Sequence, residues 1–161
     1  MSSSAVERVR QALGAHGLQV EVIEFSQSTA TSQQAADTLG VPVATIVKSL
    51  IFLAGEQPIL VLASGANQVD TEKLARAAGG PVRRADADRV KEATGFVIGG
   101  VAPVGHAQPL PTFIDADLLR YERLWAAAGS PYAVFPVTPQ ELVRITGGQV
   151  VELKRQGNRP L

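Results

Sequence analysis

Two apolar runs dominate the first half of the chain. Residues 46–53 read Ile-Val-Lys-Ser-Leu-Ile-Phe-Leu and residues 58–63 read Pro-Ile-Leu-Val-Leu-Ala, with only Ala-Gly-Glu-Gln between them. So short a linker, with Gly55 inside it, turns the chain straight back, and the two runs are expected to pair as an antiparallel hairpin. Neither run alternates polar and apolar residues, so both strands are expected to be well buried. Whatever else this chain forms has to be built around that hairpin.

The flanking segments supply helices and further strands. Val6, Val9 and Leu13 share one helical face that stops at Gly17, and residues 19–25 are rich in β-branched side chains, as a strand is. Thr31-Ser32-Gln33-Gln34 reads as a capping box for a short helix ending near Gly40. Asp70 is placed to cap a helix carrying Leu74, Ala77 and Ala78 as far as Gly79, and Asp86 or Asp88 to start another up to Gly95. Residues 82–85, 112–114, 133–137 and 149–153 read as strands. Leu118, Tyr121 and Trp125 fall on one face of an expected helix ended by Gly129, and Thr138-Pro139-Gln140-Glu141 opens a last helix that Gly147 ends. Hairpins mixed with returning helices define an α+β fold with a mixed, mainly antiparallel sheet.

Length and composition limit the function classes. At 161 residues the chain is expected to be one domain, spanning 1–161. It has no cysteine, which excludes disulfides, thiolate zinc sites and a cysteine nucleophile. His16 and His106 are its two histidines, too few and too isolated for a metal site, and no cofactor is expected. No stretch of about twenty apolar residues and no basic-then-apolar leader occurs, so no membrane contact and a cytoplasmic location are expected. Fifteen basic and fifteen acidic residues cancel, so contact with nucleic acid would have to come from local clusters. Two such clusters are Arg83, Arg84, Arg89 and Lys91, and Arg144, Lys154 and Arg155.

Two features carry chemistry. Lys48 lies inside the first apolar run, where an unpaired ammonium is costly; it must snorkel, pair with a carboxylate or face a wet pocket. Residues 94–105 read Thr-Gly-Phe-Val-Ile-Gly-Gly-Val-Ala-Pro-Val-Gly, a loop bare of side chains at Gly99 and Gly100 and stiffened by Pro103. Such a loop can be a tight strand-to-strand turn, or can present main-chain N–H groups to a small ligand. It has no nucleotide-loop spacing, and no Gly-x-Ser-x-Gly elbow occurs in the chain. Asp115 can cap the element that follows it, pair with Lys48 or orient a substrate hydroxyl. His106 follows the glycine loop and can reach a pocket mouth. Gly129 and Ser130 read as a helix exit turn, and Ser28 and Thr29 as loop polarity or as a pocket wall.

The order and spacing of these motifs (residues 31–40, 46–50, the glycine loop, Phe113-Ile114-Asp115 and Ala127-Ala128-Gly129-Ser130) resemble the YbaK/ProX family. These are aminoacyl-tRNA deacylases and prolyl-tRNA-synthetase-associated editing domains, and the resemblance runs from about residue 31 to 153. It implies a curled, barrel-like sheet with helices outside. It also implies a trans-editing hydrolase that removes a wrong small amino acid from proline-type tRNA, touching mainly the acceptor end, with prolyl-tRNA synthetase as a partner. Lys48 would supply positive charge and Gly99 and Gly100 oxyanion donors. Pro103, Asp115, Gly129, Ser130, Thr29 and His106 would border the substrate. The rival reading is a non-catalytic tRNA-end or synthetase-binding module of the same fold, and a third is a hydrolase of other small activated esters.

Overall fold

The computed structural model describes residues 4–156. The hairpin is its centre. Strand β2 (Ile46–Ala54) pairs antiparallel with β3 (Gln57–Ser64) through eight residue pairs, from Val47 opposite Ser64 to Ala54 opposite Gln57. The other strands are β1 (Ile23–Glu24), β4 (Val82–Arg84), β5 (Thr112–Asp115), β6 (Leu124–Ala127), β7 (Ala133–Val137) and β8 (Gln149–Val151). They form one sheet in the order β1-β7-β6-β2-β3-β5-β8, with β4 added to the far end of β2.

Both faces of this sheet are covered, which is why the central strands read as mainly apolar runs without alternation, broken only at Lys48 and Ser49. From β2 and β3, Val47, Ile51, Leu53, Leu60 and Leu62 enter the larger core with Val6, Val9 and Leu13 of helix α1 (Ser4–Ala15). Leu142 and Ile145 of the last helix, α5 (Pro139–Thr146), join them. The intervening Phe52, Ile59 and Val61 point the other way, onto Leu74 of α3 (Thr71–Ala78). A small third cluster holds Ala35 and Ala36 of α2 (Ser32–Leu39) against Ile46 and Trp125.

The caps read from the sequence are present. Thr31 and Gln34, and Thr138 and Glu141, form reciprocal capping boxes, while Asp70 and Asp86 cap α3 and α4 (Ala87–Thr94). Each such cap is worth about 1 kcal/mol. Together they fix where the loops around the hairpin begin.

Three expectations are corrected. The segment carrying Leu118, Tyr121 and Trp125 is not one helix: a 3-10 turn (Ala116–Arg120) gives way to strand β6. β6 pairs antiparallel with β7 through four residue pairs and parallel with Ile46 and Val47 of β2, and these pairings override the helical spacing. The sheet is less antiparallel than expected, with three of its seven strand pairings parallel, and its strand path is open rather than closed into a barrel. The strand read at residues 19–25 shortens to two residues, because only Ile23 and Glu24 meet β7.

Candidate functional site

A break in strand pairing creates the site. One edge of β2 pairs with β6 at Ile46 and Val47 and with β4 from Phe52 to Ala54, leaving residues 48–51 between them without a strand partner. Ile51 still uses its carbonyl on that edge, accepting from Ala85 N at 3.0 Å. Backbone groups alternate sides along a strand, so the N–H and C=O of Ser49 turn to the same open edge. A cavity of about 260 Å³ opens there. Its walls come from the segment ahead of α2 (Thr29 to Ser32), from Lys48, Ser49 and Leu50, from Ile98, Gly99 and Val101 of the glycine loop, and from Trp125 to Ala127 of β6.

Lys48 is half-buried at this wall. Its Nζ donates to Asn67 O at 2.5 Å, leaving two of its three donors without a protein partner. Burial lowers its pKa below the ordinary lysine range, the nearby Arg84 guanidinium adds to this, and Asp115 opposes it. Asp115 is itself fully buried and reaches Lys48 only at second hand. Its carboxylate caps the 3-10 turn through Asp117 N (3.0 Å) and accepts from Ser64 N (3.1 Å) and Asn67 Nδ2 (2.9 Å). Asn67 Nδ2 also donates to Asp117 at 2.8 Å, so two carboxylates fix the side chain whose main chain receives the lysine.

The glycine loop brings one of its two paired glycines to the cavity. Gly99 lines it with φ +89°, makes no hydrogen bond through its N–H, and packs so close to Ala30 that a Cβ would lie 2.9 Å from the Ala30 Cβ. Gly100 points its N–H back to Val97 O at 2.9 Å and lies against the main chain of Ser130, where a Cβ would come within 2.9 Å. Gly100 is therefore a close-approach glycine behind the loop, not part of the cavity wall.

The other candidates divide in the same way. Thr29 lines the cavity, buried, with its hydroxyl donating to Pro131 O at 3.0 Å. Ser130 Oγ accepts from Tyr132 N, and Gly129 (φ +95°) sits under α1, where a Cβ would meet Ala5 O at 2.8 Å. Pro103 and His106 lie on the far side of the loop, in a separate concavity with His16 and Ile145. His106 Nε2 contacts Ala102 O at 2.7 Å and its ring meets Phe96 edge-on; burial lowers its pKa. So Lys48, Gly99 and Thr29 line the cavity, while Gly100, Pro103, Asp115, Gly129, Ser130 and His106 do not.

Sequence reading missed two residues at this wall. Ser49 has a buried hydroxyl with no hydrogen-bond partner, and its polarity inside an apolar run was the available signal. Trp125 was hidden by the helical spacing of its neighbours. A third residue braces the loop from outside. Arg8 of α1 donates from Nε to Gly105 O at 2.9 Å and from Nη2 to Gly95 O at 3.0 Å, with its guanidinium 4.5 Å from the Phe96 ring centre. It clamps both ends of the loop at once.

Among the described residues no group of three or more His, Asp or Glu could hold a metal ion, and no helix is long and apolar enough to cross a membrane. The family model of the aminoacyl-tRNA editing domain matches residues 26–145. The uncharacterized protein YwhH of Bacillus subtilis is 37% identical over 131 residues, 81% of this chain and 83% of its own length. EbsC of Enterococcus faecalis, a candidate Cys-tRNA(Pro)/Cys-tRNA(Cys) deacylase, is 25% identical over 131 residues, 80% of each chain. The crystal structure of a candidate trans-editing enzyme for prolyl tRNA synthetase superposes with a TM-score of 0.92 at 46% identity, covering 97% of this chain and 100% of that one.

Proposed function

The chain belongs to the aminoacyl-tRNA editing domain family, and from that premise we propose that it is a trans-acting deacylase that frees tRNA of the proline type from a wrong small amino acid. The observation that carries this reading is the cavity at the break in the sheet, lined by Lys48, by Ser49 and by Gly99, whose N–H makes no hydrogen bond among the described residues. Its volume falls below the ~300–1,000 Å³ of pockets that enclose drug-sized ligands, which suits a small aminoacyl group. The names given to EbsC and to the structural neighbour support proline-type tRNA as the carrier and prolyl-tRNA synthetase as a partner.

An aminoacyl ester is activated relative to an amide, so hydrolysis needs no strong protein nucleophile. Water adds to the ester carbonyl, and the negative charge that forms on its oxygen is met by Gly99 N–H and by the positive field of Lys48. The tetrahedral centre collapses by expelling the ribose oxygen, which takes up the proton that the water gave. The neighbouring ribose 2′-hydroxyl orients the water, since the described residues of the cavity wall include no carboxylate or imidazole to act as a base. Pro103, His106 and the close packing of Gly100 on Ser130 hold the donor loop in place, and Asp115 holds Asn67 for Lys48.

A second reading has one observation in its favour. Among the described residues no carboxylate, histidine or cysteine lines the cavity, as a non-catalytic module that holds a tRNA end or a synthetase would also show. A panel separates the readings. Purified protein is incubated with proline-type tRNA charged with Ala, Cys, Ser, Thr or Pro, and with small activated esters lacking tRNA. A deacylase releases at least one wrong amino acid while sparing Pro-tRNA. A binding module releases none, and a general esterase cleaves the small esters equally well.

A further inference from the structure

We propose that Trp125 is a stacking platform for a nucleobase at the mouth of the cavity, the subsite that takes the terminal base of the acceptor strand; the identity of that base-bearing ligand rests on the deacylase reading above. Along β6, Leu124 and Ala126 enter the core while Trp125 and Ala127 face the other way, each only partly covered. Trp125 stands opposite Ile46 of β2 and Pro136 of β7, one residue before the Val47–Ala126 pair after which the open edge of β2 begins. Part of the indole packs on the small cluster of Ala35, Ala36 and Ile46, and part of it lines the cavity.

Two further observations favour a base over simple packing. The cavity holds about 260 Å³, room for an aminoacyl group, so the attached nucleoside has to rest on the rim. The exposed Arg123 guanidinium lies over the indole ring, 6.0 Å from its centre, so the aromatic face is joined by a positive charge that can move onto the phosphate of an incoming nucleotide. Every base has a π-face, so such a platform adds affinity for the acceptor end without reading its sequence.

Trp125 is the only tryptophan of the chain, which makes its intrinsic fluorescence a direct probe. Titration with the trinucleotide CCA is expected to change that fluorescence saturably, and ribose 5-phosphate to leave it unchanged. Replacing Trp125 by Ala is expected to raise KM for mischarged tRNA by about 10-fold or more, the scale of one lost base–aromatic stack, with kcat within about twofold. Trp125→Phe, which keeps an aromatic face, should recover most of the loss and remains informative if the alanine variant does not fold. Unchanged fluorescence with CCA, or wild-type KM in a folded Trp125→Ala protein, would overturn the platform. A CCA-dependent change in a protein that deacylates no tRNA would leave the platform standing and remove the deacylase.

Discussion

At the scale of single residues, the two paired glycines separate a chemical role from a steric one. Gly99 lines the cavity with φ +89° and an N–H that makes no hydrogen bond among the described residues, whereas Gly100 donates its N–H to Val97 O and packs where its missing Cβ would meet the main chain of Ser130. Gly100→Ala is therefore expected to cost about 1–3 kcal/mol of stability through overpacking. Gly99→Ala should lower single-turnover deacylation per folded molecule by more than Gly100→Ala does. Melting curves and rates measured on the same two proteins check this, and equal loss of rate in both would contradict it. His106 gives a pH dependence. Burial lowers its pKa below 6.5, so as pH falls through that value the unfolded chain takes up the proton first, and stability is lost. His106→Gln is expected to flatten the fall in melting temperature between about pH 7 and 5. Lys48 was legible as the anomalous charge in an apolar run. Its hold by Asn67, itself fixed by Asp115 and Asp117, was not, because that chain of contacts joins three segments distant in sequence.

At the scale of elements, the loop from Gly95 to Gly105 is held by another element, α1, through Arg8. Arg8→Met keeps much of the side chain's length over Phe96 while removing both donors to Gly95 O and Gly105 O. Amide exchange across residues 95–105 should then quicken, and deacylation should fall by about 10- to 100-fold through misplacement of the Gly99 donor. Unchanged exchange in this loop would mean that Arg8 does not position it. The hairpin, the helix caps and the strand ending at Asp115 could be read locally because turn residues, capping side chains and apolar runs act over a few positions. Strand β6 could not. Leu118, Tyr121 and Trp125 have helical spacing, and it is the pairing of all four β6 residues with β7, together with that of Trp125 and Ala126 with Ile46 and Val47 some eighty residues earlier, that makes the segment extended. The cavity was hidden for the same reason, since it exists where β2 lacks a partner between β6 and β4.

At the scale of the whole molecule, zero net charge sets the expected mode of tRNA contact. A short acceptor-end footprint involves few phosphates, so log affinity should fall with log salt at a slope on the order of −2 to −4. A slope near about −8, which would correspond to roughly nine phosphate contacts, would require a far larger RNA surface than the cavity rim offers. The sheet, the clamped loop and the buried Asp115–Asn67 pair all serve one arrangement, a lysine and a free backbone donor beside a small cavity. The measurement that tests this most directly is single-turnover release of the amino acid from a mischarged proline-type tRNA by wild-type protein and by Lys48→Ala. Rapid release by the wild type is expected, and a rate lower by about 10²-fold or more for a Lys48→Ala protein that melts normally. Equal rates for the two folded proteins would contradict it.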